Sequence, residues 1–122
     1  MSWASDLKKL CDKGGHDLGR LSRAVKMELF SGVVRDTRVD TGRLRGNWQT
    51  QDGSPASGQL ERTDKSGAIV MAEIERGATE DGVTFFTNNL PYARVYEEKD
   101  AMIGRNAARV RQLIKAEAAK LR

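Results

Sequence analysis

Few residues in this chain are of types that do covalent or metal chemistry. His16 is the single histidine and Cys11 the single cysteine, five positions apart. That spacing does not align them on one helix face, and a zinc site typically needs three or four such ligands. Cys11 falls on an apolar stripe instead, where a thiol behaves as a small hydrophobe. A serine–histidine–carboxylate relay would have to run through His16, beside Gly14-Gly15, with no nucleophile motif nearby. The glycines at 14–15, 42, 46, 77 and 82 fit neither a phosphate-cradling loop nor a dinucleotide fingerprint. No cofactor and no metal are expected.

Asp40-Thr41-Gly42 has a catalytic reading of its own, because it is similar to the active-site triplet of aspartic proteases. Met102-Ile103-Gly104-Arg105-Asn106 resembles the Ile-Gly-Arg segment of the retroviral type. In such enzymes two subunits each supply an Asp, and the pair shares a proton because like charges so close cannot both ionise. Three features oppose this reading. The triplet follows about 30 residues of helical periodicity, whereas those enzymes are almost wholly β. Arg43 stands where they keep a small residue, and a long basic helix replaces their short one. As turn chemistry the triplet is straightforward: Asp and Thr cap local amides, and Gly allows a positive φ. The chain is expected not to be an enzyme.

Charge supplies the other functional signal. Net charge is +4, with 21 basic and 17 acidic side chains. Residues 1–50 carry 10 basic and 6 acidic groups, residues 51–100 carry 5 and 10, and residues 101–122 carry 6 and 1. An acidic middle between basic ends suits head-to-tail pairing of copies, or a face for nucleic acid. Arg105, Arg109, Lys115 and Lys120 on the last helix are the candidates to line a channel or face DNA. A small basic nucleic-acid-binding module is therefore the alternative reading, and its affinity would fall steeply with salt. Tyr92 and Tyr96 are the only aromatics near that helix in sequence, so stacking platforms are sparse.

The elements that must position these residues follow from periodicity. A chain of 122 residues makes one domain. One cysteine excludes an internal disulfide, no apolar run approaches the roughly 20 residues of a membrane span, and residues 1–6 lack signal-peptide features. Synthesis in a cytoplasm is expected. From residue 5 to 35 the apolar positions keep helical spacing, and Leu18 through Val33 form a stripe roughly 120° wide. Gly14-Gly15 should break or bend that helix. Met27, Phe30 and Val34 make a second stripe on the opposite side, which predicts a contact with another subunit. A turn at 37–42 leads to a strand at 44–51 containing Trp48, and 52–66 reads as a mobile loop. Alternation over 68–75 predicts a strand, with 83–87 as its hairpin partner. Pro91 marks a short helix at 92–98. Asp100 is a good N-cap for a last helix whose stripe is Ile103, Ala107, Val110, Ile114, Ala118 and Leu121. The expected class is α+β: a long N-terminal helix, a mainly antiparallel three- to four-stranded sheet, a short helix and a C-terminal helix.

Two segments taken together point to a family. Val39-Asp40-Thr41-Gly42-Arg43-Leu44-Arg45-Gly46-Asn47-Trp48 and Phe86-Thr87-Asn88-Asn89-Leu90-Pro91-Tyr92-Ala93-Arg94-Val95-Tyr96-Glu97 resemble the tail-completion proteins (neck or minor tail proteins) of bacteriophages with long non-contractile tails. The order of elements is similar along the whole chain. The family commonly continues the second motif as Glu-x-Gly, where this chain has Glu97-Glu98-Lys99-Asp100, so the following loop should have its own shape. The resemblance implies a virion protein at the head–tail junction that forms a homo-oligomer, typically a hexameric ring. It implies contact with the tail terminator or tail tube protein and with the head connector, DNA passing through the ring channel, and no membrane. It also implies structural roles: Asp40, Thr41 and Gly42 fix the first turn, Arg43, Leu44 and Trp48 orient the strand, and Asn89, Pro91, Tyr92 and Ala93 set the second turn. Glu97 is expected to pair with a basic residue such as Arg43.

Overall fold

Glycine and an aspartate divide the N-terminal helical register into two helices. A computed structural model describes residues 3–121, beginning with α1 (Trp3–Asp12) and α2 (Leu18–Asp36). Gly15 takes a positive φ of 72°, and Asp17 caps α2 by accepting from the Gly19 amide at 2.8 Å. The remaining elements are α3 (Arg43–Gly46), β1 (Trp48–Asp52), α4 (Ala68–Gly77), β2 (Thr84–Asn88), α5 (Ala93–Asp100) and α6 (Met102–Ala119). The class is α+β.

The sheet has two strands, not three or four. β1 and β2 run antiparallel, in register from Trp48↔Asn88 to Asp52↔Thr84. The predicted strand at 44–51 starts late because Gly42, at φ 90°, opens the short helix α3, and extended backbone begins only at Trp48. The predicted strand at 68–75 is the helix α4. Its alternating pattern misled because Ala68 and Ala72 are exposed, while Val70 and Ile74, four apart, are the buried pair. The partner expected for 83–87 therefore lies across the whole 53–83 connection, at β1.

α2 is covered on both sides within the chain. Leu21, Val25 and Leu29 face α1 and α6 around Leu10, Val110, Ile114 and Ala118. The other side enters the main core: Phe30, Val33 and Val34 pack with Trp48, Val70, Ile74 and Met102, and Met27 lies against them. Phe30 stacks on Phe86 at 4.5 Å between centroids, and Phe86 on Trp48 at 4.7 Å. This corrects the assignment of Met27, Phe30 and Val34 to a subunit interface. The cover that the second stripe requires comes from α4 and the sheet.

α5 and α6 meet at Ala101, a non-glycine residue with φ 48°. Asp100 does not cap α6; its carboxylate turns to Arg38. Glu97 takes that place, accepting from the Ile103 amide at 2.9 Å and the Gly104 amide at 3.2 Å. The buried stripe of α6 is Met102, Asn106, Val110, Ile114 and Ala118, and Ile103 is exposed.

Residues 52–66, expected to be mobile, are fastened at several points. The Asn47 side chain accepts from the Leu60 amide at 2.7 Å and donates to the Leu60 carbonyl at 3.1 Å. Asn89 donates to the Ala56 and Gly58 carbonyls. Arg62 forms a two-point pair with Glu73 on α4.

Candidate functional site

The first motif segment is shaped by backbone contacts. Thr41 Oγ1 accepts from the Arg43 amide at 3.2 Å. The Gly42 carbonyl accepts from the amides of Gly46 and Asp64, both at 2.9 Å. A Cβ on Gly42 would lie 2.8 Å from the Lys65 backbone nitrogen, so both its conformation and its surroundings require glycine. Asp64 is buried and accepts from the Val70 amide at 3.0 Å, holding the first turn of α4 against this corner.

The second segment is tied to the first. Asn88 donates to the Leu44 carbonyl at 2.8 Å and accepts from the Leu90 amide at 3.3 Å. Leu44, Leu90 and Ala93 are buried in one small cluster, with Tyr92 and Tyr96 packed against it. The two tyrosine rings meet edge to face at 6.0 Å.

Between the segments lies a cleft of about 530 Å³. Residues from Arg38 to Leu44 form one wall, and Tyr92, Val95, Tyr96 and Lys99 of the α5 region form the other. The guanidinium of Arg38 sits 5.2 Å from the Tyr96 ring centre and donates to both Asp100 oxygens, at 3.1 and 2.7 Å. That hydrogen bond raises the Arg38 pKa and lowers that of Asp100. Arg43 donates to Gln59 at 3.3 Å, and the carboxylate of Glu97 is spent on the start of α6. The expected Arg43–Glu97 pair is therefore not formed.

The rim thus presents Arg38, Arg43 and Lys99 around two tyrosines, with Asp40 as the one acidic group lining it. A cationic and aromatic rim over an apolar floor is suited to contact with a protein surface. Among the described residues no group of three or more His, Cys, Asp or Glu is placed to hold a metal ion.

The other sequence-predicted residues lie elsewhere. Trp48 is in the core, its indole N–H donating to Thr37 Oγ1 at 2.8 Å. Asn89 and Pro91 shape the turn before α5. The basic residues of α6 do not form one free face. Arg109 pairs with Glu28 at 2.7 Å, Arg105 with Asp36 at 3.5 Å and Lys120 with Glu117 at 3.0 Å, while Lys115 is exposed. Periodicity missed the buried polar residues Asp6, Thr37, Asn47, Asp64 and Asn106. Asn47 sits inside the first motif, and Asp64 stands three residues before Gly67 and the apolar start of α4. Those positions were the available signals.

No protein-family model, no curated protein and no solved structure matches this chain.

Proposed function

We propose that this chain is a structural subunit of the head–tail junction of a long, non-contractile-tailed bacteriophage. In this reading it completes the tail and joins it to the head connector. The observation that supports it is the convergence of the two motif segments, 39–48 and 86–97, on one cleft. Residues that resemble one family at two distant places in sequence act here as one corner of the fold, and their polar side chains are used to fasten it. The cleft rim is the surface through which the subunit meets its neighbours: further copies in a ring, the tail terminator or tail tube protein, and the head connector. The role is non-catalytic, with DNA passing through the ring.

The nucleic-acid reading draws less support, because three of the four basic residues it relies on are paired with carboxylates of the same chain. The protease reading draws none from Asp40, which is exposed in a turn that opens a helix.

A phage stock lacking the protein should yield filled heads and separate tails by electron microscopy. Normal infectious particles would overturn the proposal. Complementation with Arg43→Glu or Tyr92→Ala should fail to restore infectious particles although the purified variants keep the circular dichroism of the parent.

A further inference from the structure

Two ends of the molecule carry opposite charges that the chain does not neutralise by itself. At the cleft, Arg38 is engaged by Asp100, but Arg43 donates only to the neutral Gln59. Lys99 is exposed and makes no hydrogen bond or ion pair among the described residues. Lys65, also exposed with a free ammonium group, lies with its stem against Gly42, which lines the cleft. Against these three free cations stands the single carboxylate of Asp40.

The opposite sign is found at the turn between α4 and β2. Glu80 and Asp81 are both exposed, and neither carboxylate has a hydrogen-bond or ion-pair partner among the described residues. Two cations of α2 reach this turn, and both are engaged by its backbone. Arg23 donates to the Ala78 carbonyl and Lys26 to the Thr79 carbonyl, each at 3.0 Å. The Thr79 hydroxyl donates to the Asp81 carbonyl. The turn is therefore held in one shape with its carboxylates unpaired.

α2 keeps the two ends apart. Its first residues lie beside the acidic turn, where a Cβ on Gly19 would fall 3.1 Å from Glu80 Cβ. Its last residue, Asp36, leads through Thr37 to Arg38 at the cleft. The 19 residues of α2 at about 1.5 Å each separate turn and cleft by roughly 28 Å, so those of one chain cannot pair with each other. Exposed apolar residues accompany both ends: Val95 lines the cleft and Val39 adjoins it, while Leu18 and Val83 flank the turn.

We propose that the acidic turn of one copy docks in the cationic cleft of the next, head to tail. Charge and place choose the occupant. Glu80-Asp81 is the one point among the described residues where two adjacent carboxylates are both exposed and both unpaired. In the contact they face Arg43, Lys65 and Lys99, and the flanking apolar residues complete a surface of the mixed kind that proteins use against each other. Such a contact is heterologous. Each copy keeps a free turn and a free cleft, so the series closes into a ring or runs on as a filament. The inference rests on the reading of the cleft rim as a contact between copies, and adds which part of the neighbour fills it.

Sedimentation velocity on the full chain should show mass rising past the dimer with concentration, and association weakening as salt rises. Glu80→Lys with Asp81→Lys should weaken association about tenfold or more, and so should Arg43→Glu with Lys99→Glu. The Tm of the dilute chain should stay near that of the parent, since these side chains form no ion pair within it. Mixing the two variants in equal amounts should restore association, because each reversed turn then meets a reversed cleft. A chain that stays monomeric to millimolar concentration, reversals without effect, or a mixture that fails to recover would overturn the proposal. The particle stock lacking the protein separates the two readings. Separate heads and tails with association indifferent to the reversals would remove this contact and leave the head–tail role; normal particles with association that the reversals abolish would do the opposite.

Discussion

The hydroxyl of Thr37 joins two elements through one oxygen. It donates to the Val33 carbonyl at the end of α2, at 2.6 Å, and accepts from the Trp48 indole at the start of β1. Both side chains are buried. Thr37→Val keeps the shape and removes the acceptor, leaving a buried indole N–H unpaired, so stability should fall by about 1–3 kcal/mol in urea denaturation. Glu97 is a second residue with a definable task, capping α6 from the preceding helix. Glu97→Ala should lower the unfolding free energy by about 1 kcal/mol, and Glu97→Gln should lose less. Asp100 gives a pH signature. Its pKa is depressed in the folded chain by the Arg38 hydrogen bond, below the ordinary carboxylate value of 3.8. Its contribution is therefore present above that value and is lost as pH falls through the lower, folded value. Asp100→Asn should flatten the acid limb of a Tm-against-pH profile below about pH 4, because it removes at neutral pH the small contribution that the parent loses in acid, and the two profiles should converge at low pH.

At the level of elements, the corner between α5 and α6 is strained. Ala101 holds a left-handed conformation that a Cβ disfavours by roughly 1–2 kcal/mol, and glycine adopts it freely. Ala101→Gly should therefore raise Tm, with a gain of about 1 kcal/mol or less after the extra freedom of the unfolded glycine is counted. α2 and α6 meet across Gly32, where an added Cβ would fall 2.1 Å from Asn106 Oδ1 and 2.5 Å from an Arg109 nitrogen. Helix formation alone favours alanine there, so an increase in stability of Gly32→Ala would mean that this contact yields. The helix α4 shows why element type was misread. Ala68-Ile69-Val70-Met71-Ala72 is apolar throughout and so fits period two as well as a helical spacing, and in the fold the Asp64 carboxylate accepts from the Val70 amide in the first turn of the helix.

For the molecule as a whole, the aromatic stack Phe30–Phe86–Trp48 binds the long helix to the sheet. Phe30→Ala should cost about 3–5 kcal/mol and lower Tm in dilute solution, where association plays no part. An unchanged Tm in the dilute chain, with assembly lost, would return Phe30 to an interface role.

The helices α1, α2 and α6 were legible from sequence, while α3 and α4 were not: helix formation depends on neighbours three and four residues away, and the patterns around Gly14-Gly15, along α2 and along α6 are local. The turn chemistry of Thr41-Gly42 was legible for the same reason. Sheet membership was not, since β1 and β2 are joined only through the 53–83 connection and nothing local in either strand names its partner. Nor could periodicity tell whether the second face of α2 meets a sister chain or its own sheet, for the pattern demands a cover without specifying the source. Tertiary packing decided that, and it also brought two distant motifs to one cleft.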